Sequence, residues 1–122
     1  MKLYRLTQPG IDTLAMTEED IPRPGPGPAL IRVRATSLNY RDLMMVRGAY
    51  ARGAPPSGLI PLSDGAGEVI ETGPGTTRVK PGDRVAGIFM QRWVAGRITP
   101  EASASALGGA VHGMMAEYVV LD

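Results

Sequence analysis

The sequence predicts a mainly β fold of the α+β kind: about six short strands and one or two short helices, arranged as a small barrel or a distorted sandwich. Three observations carry that expectation. Sixteen glycines and eleven prolines among 122 residues leave little room for long helices, which excludes an all-helical bundle. Ile31, Val33 and Ala35 alternate with Arg32, Arg34 and Thr36, the period-two pattern of an antiparallel strand with one dry face and one wet face. Turn-forming residues recur at short, irregular intervals, with no internal repeat between them.

Residues 3–7 and 14–18 are too short for anything but strands. The stretch Pro22-Arg23-Pro24-Gly25-Pro26-Gly27-Pro28 cannot donate a continuous ladder of N–H groups, so it reads as an extended surface connector. The alternating strand follows. Asn39 then offers a side-chain oxygen at a helix N-cap, Asp42 falls in the first turn, and Gly48 is placed to end the helix; one short helix is expected over residues 40–47. Residues 49–62 form a long loop stiffened by Pro55-Pro56, and a loop of that length is a candidate site. A strand over 64–71 contains Gly65 and Gly67, which mark a bend or a close approach of backbone. Gly73-Pro74-Gly75 is a turn. Lys80-Pro81-Gly82-Asp83 has the pattern of a type II turn, with proline second and glycine third. Strands are expected over 84–89 and 115–121. Between them Thr99-Pro100-Glu101 reads as an N-cap with proline at the first helical position, opening a helix that runs through Leu107.

Composition narrows function by exclusion. Thirteen basic against twelve acidic residues leave a net charge of +1, with no excess to attract nucleic acid. Cysteine is absent, which removes disulfides, thiolate nucleophiles and cysteine-based zinc sites together. The opening Met1-Lys2-Leu3-Tyr4-Arg5 carries no apolar run of signal-peptide length, and no segment approaches membrane-spanning length. The expectation is a cytoplasmic domain spanning residues 1–122, with no nucleic-acid or membrane partner.

Four motifs stand in order along the chain: Ser37-Leu38-Asn39-Tyr40-Arg41-Asp42, Leu62-Ser63-Asp64-Gly65-Ala66-Gly67-Glu68-Val69, Val79-Lys80-Pro81-Gly82-Asp83-Arg84-Val85 and Gly113-Met114-Met115-Ala116-Glu117-Tyr118. Together they resemble the GroES-like catalytic domain at the front of medium-chain dehydrogenase/reductase enzymes, a partly open β-barrel. The resemblance covers essentially the whole chain and implies that residues 1–122 are part of a longer enzyme. In zinc-dependent members a cysteine stands at the position of Asn39, a histidine at Ser63 and a glutamate at Asp64. With two of those ligands replaced, the chain is similar to the zinc-independent branch, which includes quinone oxidoreductases and 2-enoyl thioester reductases that use NADPH. The implied metal is none. The implied partner is a small electrophile: a quinone, an enoyl or a carbonyl compound.

Hydride delivery to a conjugated carbonyl requires a positioned nicotinamide, a donor for the developing enolate and a proton source. Asn39 is a candidate for orienting the cofactor or the substrate carbonyl through its amide, besides its role as a cap. Tyr50 follows the helix stop, and the resemblance marks it as a candidate proton donor; the plainer reading is a loop aromatic resting on Pro55 and Pro56. Tyr40 is a candidate cofactor contact by position, although an i,i+4 packing on Met44 is the simpler expectation. Asp42, Ser63 and Asp64 complete the candidate substrate-binding set, with helix-start charge as the plain reading of Asp42. His112, the lone histidine, reads as structural or solvated, and the seven methionines as core filler.

The sequence contains no Gly-x-Gly-x-x-Gly turn between a strand and a helix. The dinucleotide-binding half of such enzymes is therefore expected outside these residues, and the domain alone is expected to be inactive and to expose apolar surface. The competing reading is a non-catalytic module that uses that surface for self-association, as a homodimer or with another partner. A chaperonin cofactor is disfavoured, since the long loop offers only Leu59-Ile60 as a hydrophobic motif.

Overall fold

The computed structural model describes residues 1–50 and 54–122. Six strands form two open sheets. β1 (Lys2–Leu6) and β2 (Leu14–Glu18) pair antiparallel from Lys2↔Glu18 to Leu6↔Leu14, joined by a 3₁₀ turn at Ile11–Thr13 that sequence periodicity did not announce. β3 (Ala29–Ser37), β4 (Asp64–Thr72), β5 (Arg84–Ala86) and β6 (Tyr118–Leu121) make an antiparallel sheet in the order β5-β4-β3-β6. The two sheets meet through backbone bonds from Tyr4 N–H to the Met115 carbonyl and from Glu117 N–H to the Lys2 carbonyl, both 3.0 Å. They stay open and do not close into a barrel, so "partly open" describes the arrangement better than "barrel".

β3 is the central strand. Arg32 and Arg34 face water, as their alternation requires, and Arg34 pairs with Glu68 at 3.2 Å. Gly67 of β4 lies where a Cβ would come within 2.2 Å of the Arg32 carbonyl oxygen, so the close approach anticipated there is real and only glycine fits. Met114, Val69, Leu107 and Ile31 fill the main core together with Leu62 and Val119. A second cluster of Leu6, Met45, Val46 and Leu59 lies beneath the helix α1 (Tyr40–Val46), with Tyr50 packed against it. Gly48 follows α1 at φ +68°, the left-handed residue that stops it, and Gly82 sits at φ +92° in the expected turn.

Three expected boundaries move, each for a tertiary reason. The strand expected over 84–89 ends at Ala86, because Phe89 and Met90 leave the sheet to pair with Leu107 and Ala106. That pairing also cuts the expected helix to α2 (Pro100–Ser103), since residues 104–105 turn and Leu107 N–H donates to the Phe89 carbonyl at 2.9 Å instead of to a helical carbonyl. The last strand begins at Tyr118, not at 115, because residues 113–115 run along 60–62 instead of β3. Part of the expected long loop, residues 51–53, lies outside the described residues.

His112 is exposed, and its Nδ1 accepts a hydrogen bond from Ile60 N–H at 3.3 Å, a structural role of the kind expected. Desolvation, and then the Arg5 guanidinium, hold its pKa below the ordinary histidine range, against an opposing pull from Glu19. Because the folded pKa is depressed, the folded state favours the neutral ring. The contribution is therefore complete above the unfolded histidine pKa and is lost as pH falls through the folded value. Stability of wild-type protein is expected to decline between about pH 7 and about pH 5 by an increment that a His112→Asn variant lacks, as thermal melts across that range would measure.

Candidate active site

The candidate site is built around the entry to α1. Asn39 is the N-cap in extended conformation, and its backbone N–H donates to the Asp42 carboxylate at 2.9 Å. That bond explains why an aspartate, only 4% exposed, is stable in the first turn. The Asn39 amide nitrogen also donates to Asp64 Oδ2, and Ser63 Oγ donates to the same oxygen at 3.2 Å. Asn39, Ser63 and Asp64, which come from α1's cap and the start of β4, thus form one network in which the carboxylate accepts from two neighbours.

The positions of Ser63 and Asp64 depend on a strained residue. Leu62 has φ +73°, a left-handed conformation unusual for a branched side chain and costing about 1–3 kcal/mol. Its surroundings over-determine it. Gly113 N–H donates to the Ile60 carbonyl at 2.7 Å, Met114 N–H to Leu62 at 2.9 Å and Met115 N–H to Pro61 at 3.1 Å. Gly113 packs so closely that a Cβ there would come within 2.0 Å of the Leu62 carbonyl oxygen. Strain held in place beside a cluster of polar side chains is what a pre-organised site looks like.

Two cavities flank α1. One, about 430 Å³, is lined by Leu38, Asn39, Tyr40, Asp42, Leu43 and Leu62 among others. Leu38 is 80% and Tyr40 76% exposed, so both stand at the rim of the groove. The other cavity, about 250 Å³, is lined by Arg41, Tyr50, Pro55, Phe89, Ser103 and Gly109 with their neighbours. The structure therefore brings Asn39, Ser63 and Asp64 into contact and puts Tyr40 and Asp42 beside Asn39, while Tyr50 lines a different cavity. Asn39 and Tyr50 share no cleft among the described residues. Tyr50 lines that cavity together with Pro55 and Pro56, and its ring lies 5.2 Å from the Arg41 guanidinium.

Arg41, Phe89 and Ser103 were not singled out from sequence. Only Arg41 left a signal: it stands beside Asp42 in the first turn of α1, inside the Ser37–Asp42 motif. Among the described residues no three histidine, cysteine or acidic side chains gather as a metal-binding set.

Comparison with known proteins decides the family. Residues 25–122 match the alcohol dehydrogenase GroES-like domain. The chain belongs to that family. It is 36% identical over 113 residues to a zinc-type alcohol dehydrogenase-like protein of Schizosaccharomyces pombe, covering 92% of this chain and 32% of that one. Among solved structures, a thermostable alcohol dehydrogenase from Pyrobaculum aerophilum superposes with a TM-score of 0.79 at 34% identity over 99% of this chain and 38% of that one. The quinone oxidoreductase from Coxiella burnetii superposes with a TM-score of 0.71 at 30% identity, covering all of this chain and 34% of that one. The chain spans about a third of the length of such relatives. It is a domain of the dehydrogenase/reductase superfamily, and no helix among the described residues is long and apolar enough to cross a membrane.

Proposed function

We propose that this GroES-like domain is the substrate side of a zinc-independent, cytoplasmic oxidoreductase that delivers hydride from NADPH to a quinone or an electron-poor C=C bond. The single observation that supports the zinc-free reading is the Asn39–Asp64–Ser63 network. At the three places where zinc-dependent relatives by resemblance carry cysteine, histidine and glutamate, this chain has an amide, a hydroxyl and one carboxylate. Neither neutral group is a zinc ligand of useful affinity, and the carboxylate already accepts from both. The residues do not fit zinc, and no step is assigned to it.

The groove beside α1 suits a nicotinamide cofactor held mainly by a nucleotide-binding part outside residues 1–122. It has an apolar wall, the polar head of Asn39 and an exposed rim of Leu38 and Tyr40 for a neighbouring module to cover. NADPH, when bound, supplies a hydride. Within this chain Asp64 fixes the orientation of Asn39, Asn39 holds the cofactor carboxamide or the acceptor carbonyl, and Tyr40 contacts the cofactor at the rim. Asp42 holds the helix start in place, and Ser63 holds the Asp64 carboxylate. As the electron pair of the C=C bond moves toward the acceptor oxygen, the resulting carbanion takes a proton that the Tyr50 hydroxyl supplies by way of water, and the phenol is reprotonated from solvent. Hydride passes only between groups in contact, so the cofactor and the acceptor share the Asn39 side of α1, and Tyr50, which lines the other cavity, acts on the acceptor only through water.

The exposed rim alone also favours a second reading, in which Leu38, Tyr40 and Leu43 pair two copies of a non-catalytic module. Oxidation of NADPH by the full-length protein with a quinone or an enone, scored together with its metal content, separates the two. The competing reading gives no turnover.

A further inference from the structure

His112 is exposed, yet it makes the one side-chain hydrogen bond to residues 60–62 among the described residues: its Nδ1 accepts from Ile60 N–H at 3.3 Å. The bonds that tie this segment to 113–115 are all accepted by its carbonyls: Gly113 N–H on Ile60, Met114 N–H on Leu62 and Met115 N–H on Pro61. Proline has no N–H, so Ile60 offers the last backbone donor before the left-handed Leu62. Ile60 is only 6% exposed, and a buried N–H without an acceptor is costly. The ring of His112 therefore satisfies the donor side of a clamp whose carbonyl side runs to residues 113–115.

An imidazole accepts at Nδ1 only while that nitrogen keeps its lone pair, which places the proton of the neutral ring on Nε2. A second proton turns Nδ1 into a donor aimed at another donor. The charged groups that act on the ring among the described residues are Arg5 of β1 and Glu19, just after β2. Arg5 grips both oxygens of Glu19 and the Gly58 carbonyl, and the Met1 amino group binds the Glu19 carbonyl. Partial desolvation and then Arg5 favour the neutral ring, and Glu19 opposes them. Arg52 lies outside the described residues. A proton on Nδ1 removes the lone pair whatever charge stands nearby.

We propose that His112 is a positioning residue for the candidate site: as a neutral ring it holds Ile60, and through the Leu62 turn it sets the Ser63–Asp64 pair that orients Asn39. Leu62 at φ +73° stays there only while its neighbours hold it, and Ser63 and Asp64 follow it directly in the chain. When the ring takes its second proton, residues 60–62 loosen, the Asp64 carboxylate shifts and Asn39 loses its fixed orientation. Binding at the Asn39 groove weakens as pH falls through the titration of this ring and recovers as pH rises. The inference rests on the proposed reductase reading only for what the groove binds.

Two measurements on the full-length protein test it, each made on wild type, His112→Asn and His112→Gln. Asparagine puts its amide oxygen near the place of Nδ1 and does not titrate, whereas glutamine puts its polar end near the place of Nε2. The first measurement is hydrogen exchange of residues 60–64, expressed as protection relative to the unstructured rate. In the wild type it is expected to fall at least about fivefold from about pH 8 to about pH 5. His112→Asn keeps the protection at both ends of that range, and His112→Gln lacks it at both. The second is calorimetric binding of NADP⁺, which acid leaves intact. Wild-type affinity is expected to fall at least about fivefold more over the same range than that of His112→Asn, whose profile carries every other titration, the nucleotide phosphate included. Equal profiles for wild type and His112→Asn overturn the inference. So does a His112→Gln protein that matches wild type at the alkaline end, or a loss of protection that leaves NADP⁺ affinity untouched. Should His112→Gln fail to fold, the pair of wild type and His112→Asn decides. The expected protection pattern in a protein that binds no NADP⁺ at either end counts against the reductase reading and leaves the hold of His112 on residues 60–64 standing.

Discussion

Replacing Tyr50 by Phe in the full-length protein is expected to lower turnover at least about a hundredfold while leaving thermal stability almost unchanged. The two halves of that expectation have separate causes. The ring stays, so its packing against the Leu6–Met45–Leu59 cluster and its approach to the Arg41 guanidinium stay with it. Only the hydroxyl goes, and no described residue hydrogen-bonds that hydroxyl, so the fold loses little. Tyr50 is half-buried, and its hydroxyl, which no described residue holds, is open to the water through which it would supply a proton. Steady-state rates with an enone, measured with melting curves of the same two proteins, make the comparison. Unchanged turnover would remove Tyr50 from the mechanism. A large fall in melting temperature would mean that its role is structural.

Gly113→Ala is expected to destabilise the domain by about 3 kcal/mol or more, on the order of a 10 °C fall in melting temperature. The new methyl would meet the Leu62 carbonyl at 2.0 Å, the Pro61 carbonyl at 2.6 Å and the Gly108 Cα at 2.7 Å. All three are backbone atoms, so no side chain can swing aside. Relief requires residues 113–115 to separate from 60–62, and with them go the three hydrogen bonds that keep Leu62 left-handed. Ser63 and Asp64 follow Leu62 in the chain, so the same substitution loosens the Asn39 network. A melting temperature within a few degrees of wild type would show that this junction is softer than its contacts imply.

The parts of the molecule that local chemistry controls could be read from the sequence. Asn39 and Asp42 define the start of α1, Gly48 its end, Gly82 a turn, and the alternation of Ile31, Val33 and Ala35 with arginines the central strand. What could not be read depends on distant pairing. Nothing near Leu107 says that its N–H meets the Phe89 carbonyl and shortens α2. Nothing near Leu62 says that two remote glycines hold it at a positive φ. The resemblance pointed to Asn39, Ser63 and Asp64, and the structure joins them through one carboxylate oxygen. It placed Tyr50 beside the same chemistry, whereas the chain puts the thickness of a helix between Tyr50 and Asn39. Arg41 was passed over because an arginine in a short helix usually faces water, and only the fold turns this one inward between two rings.

Metal content and NADPH oxidation, determined on one preparation of the full-length protein made without chelator, probe the zinc-free account most directly. The account predicts reduction of an electron-poor alkene or quinone at a rate that a strong chelator leaves unchanged, with zinc far below one atom per chain. Zinc bound in stoichiometric amount, with activity that vanishes on its removal and returns on its restoration, would contradict it.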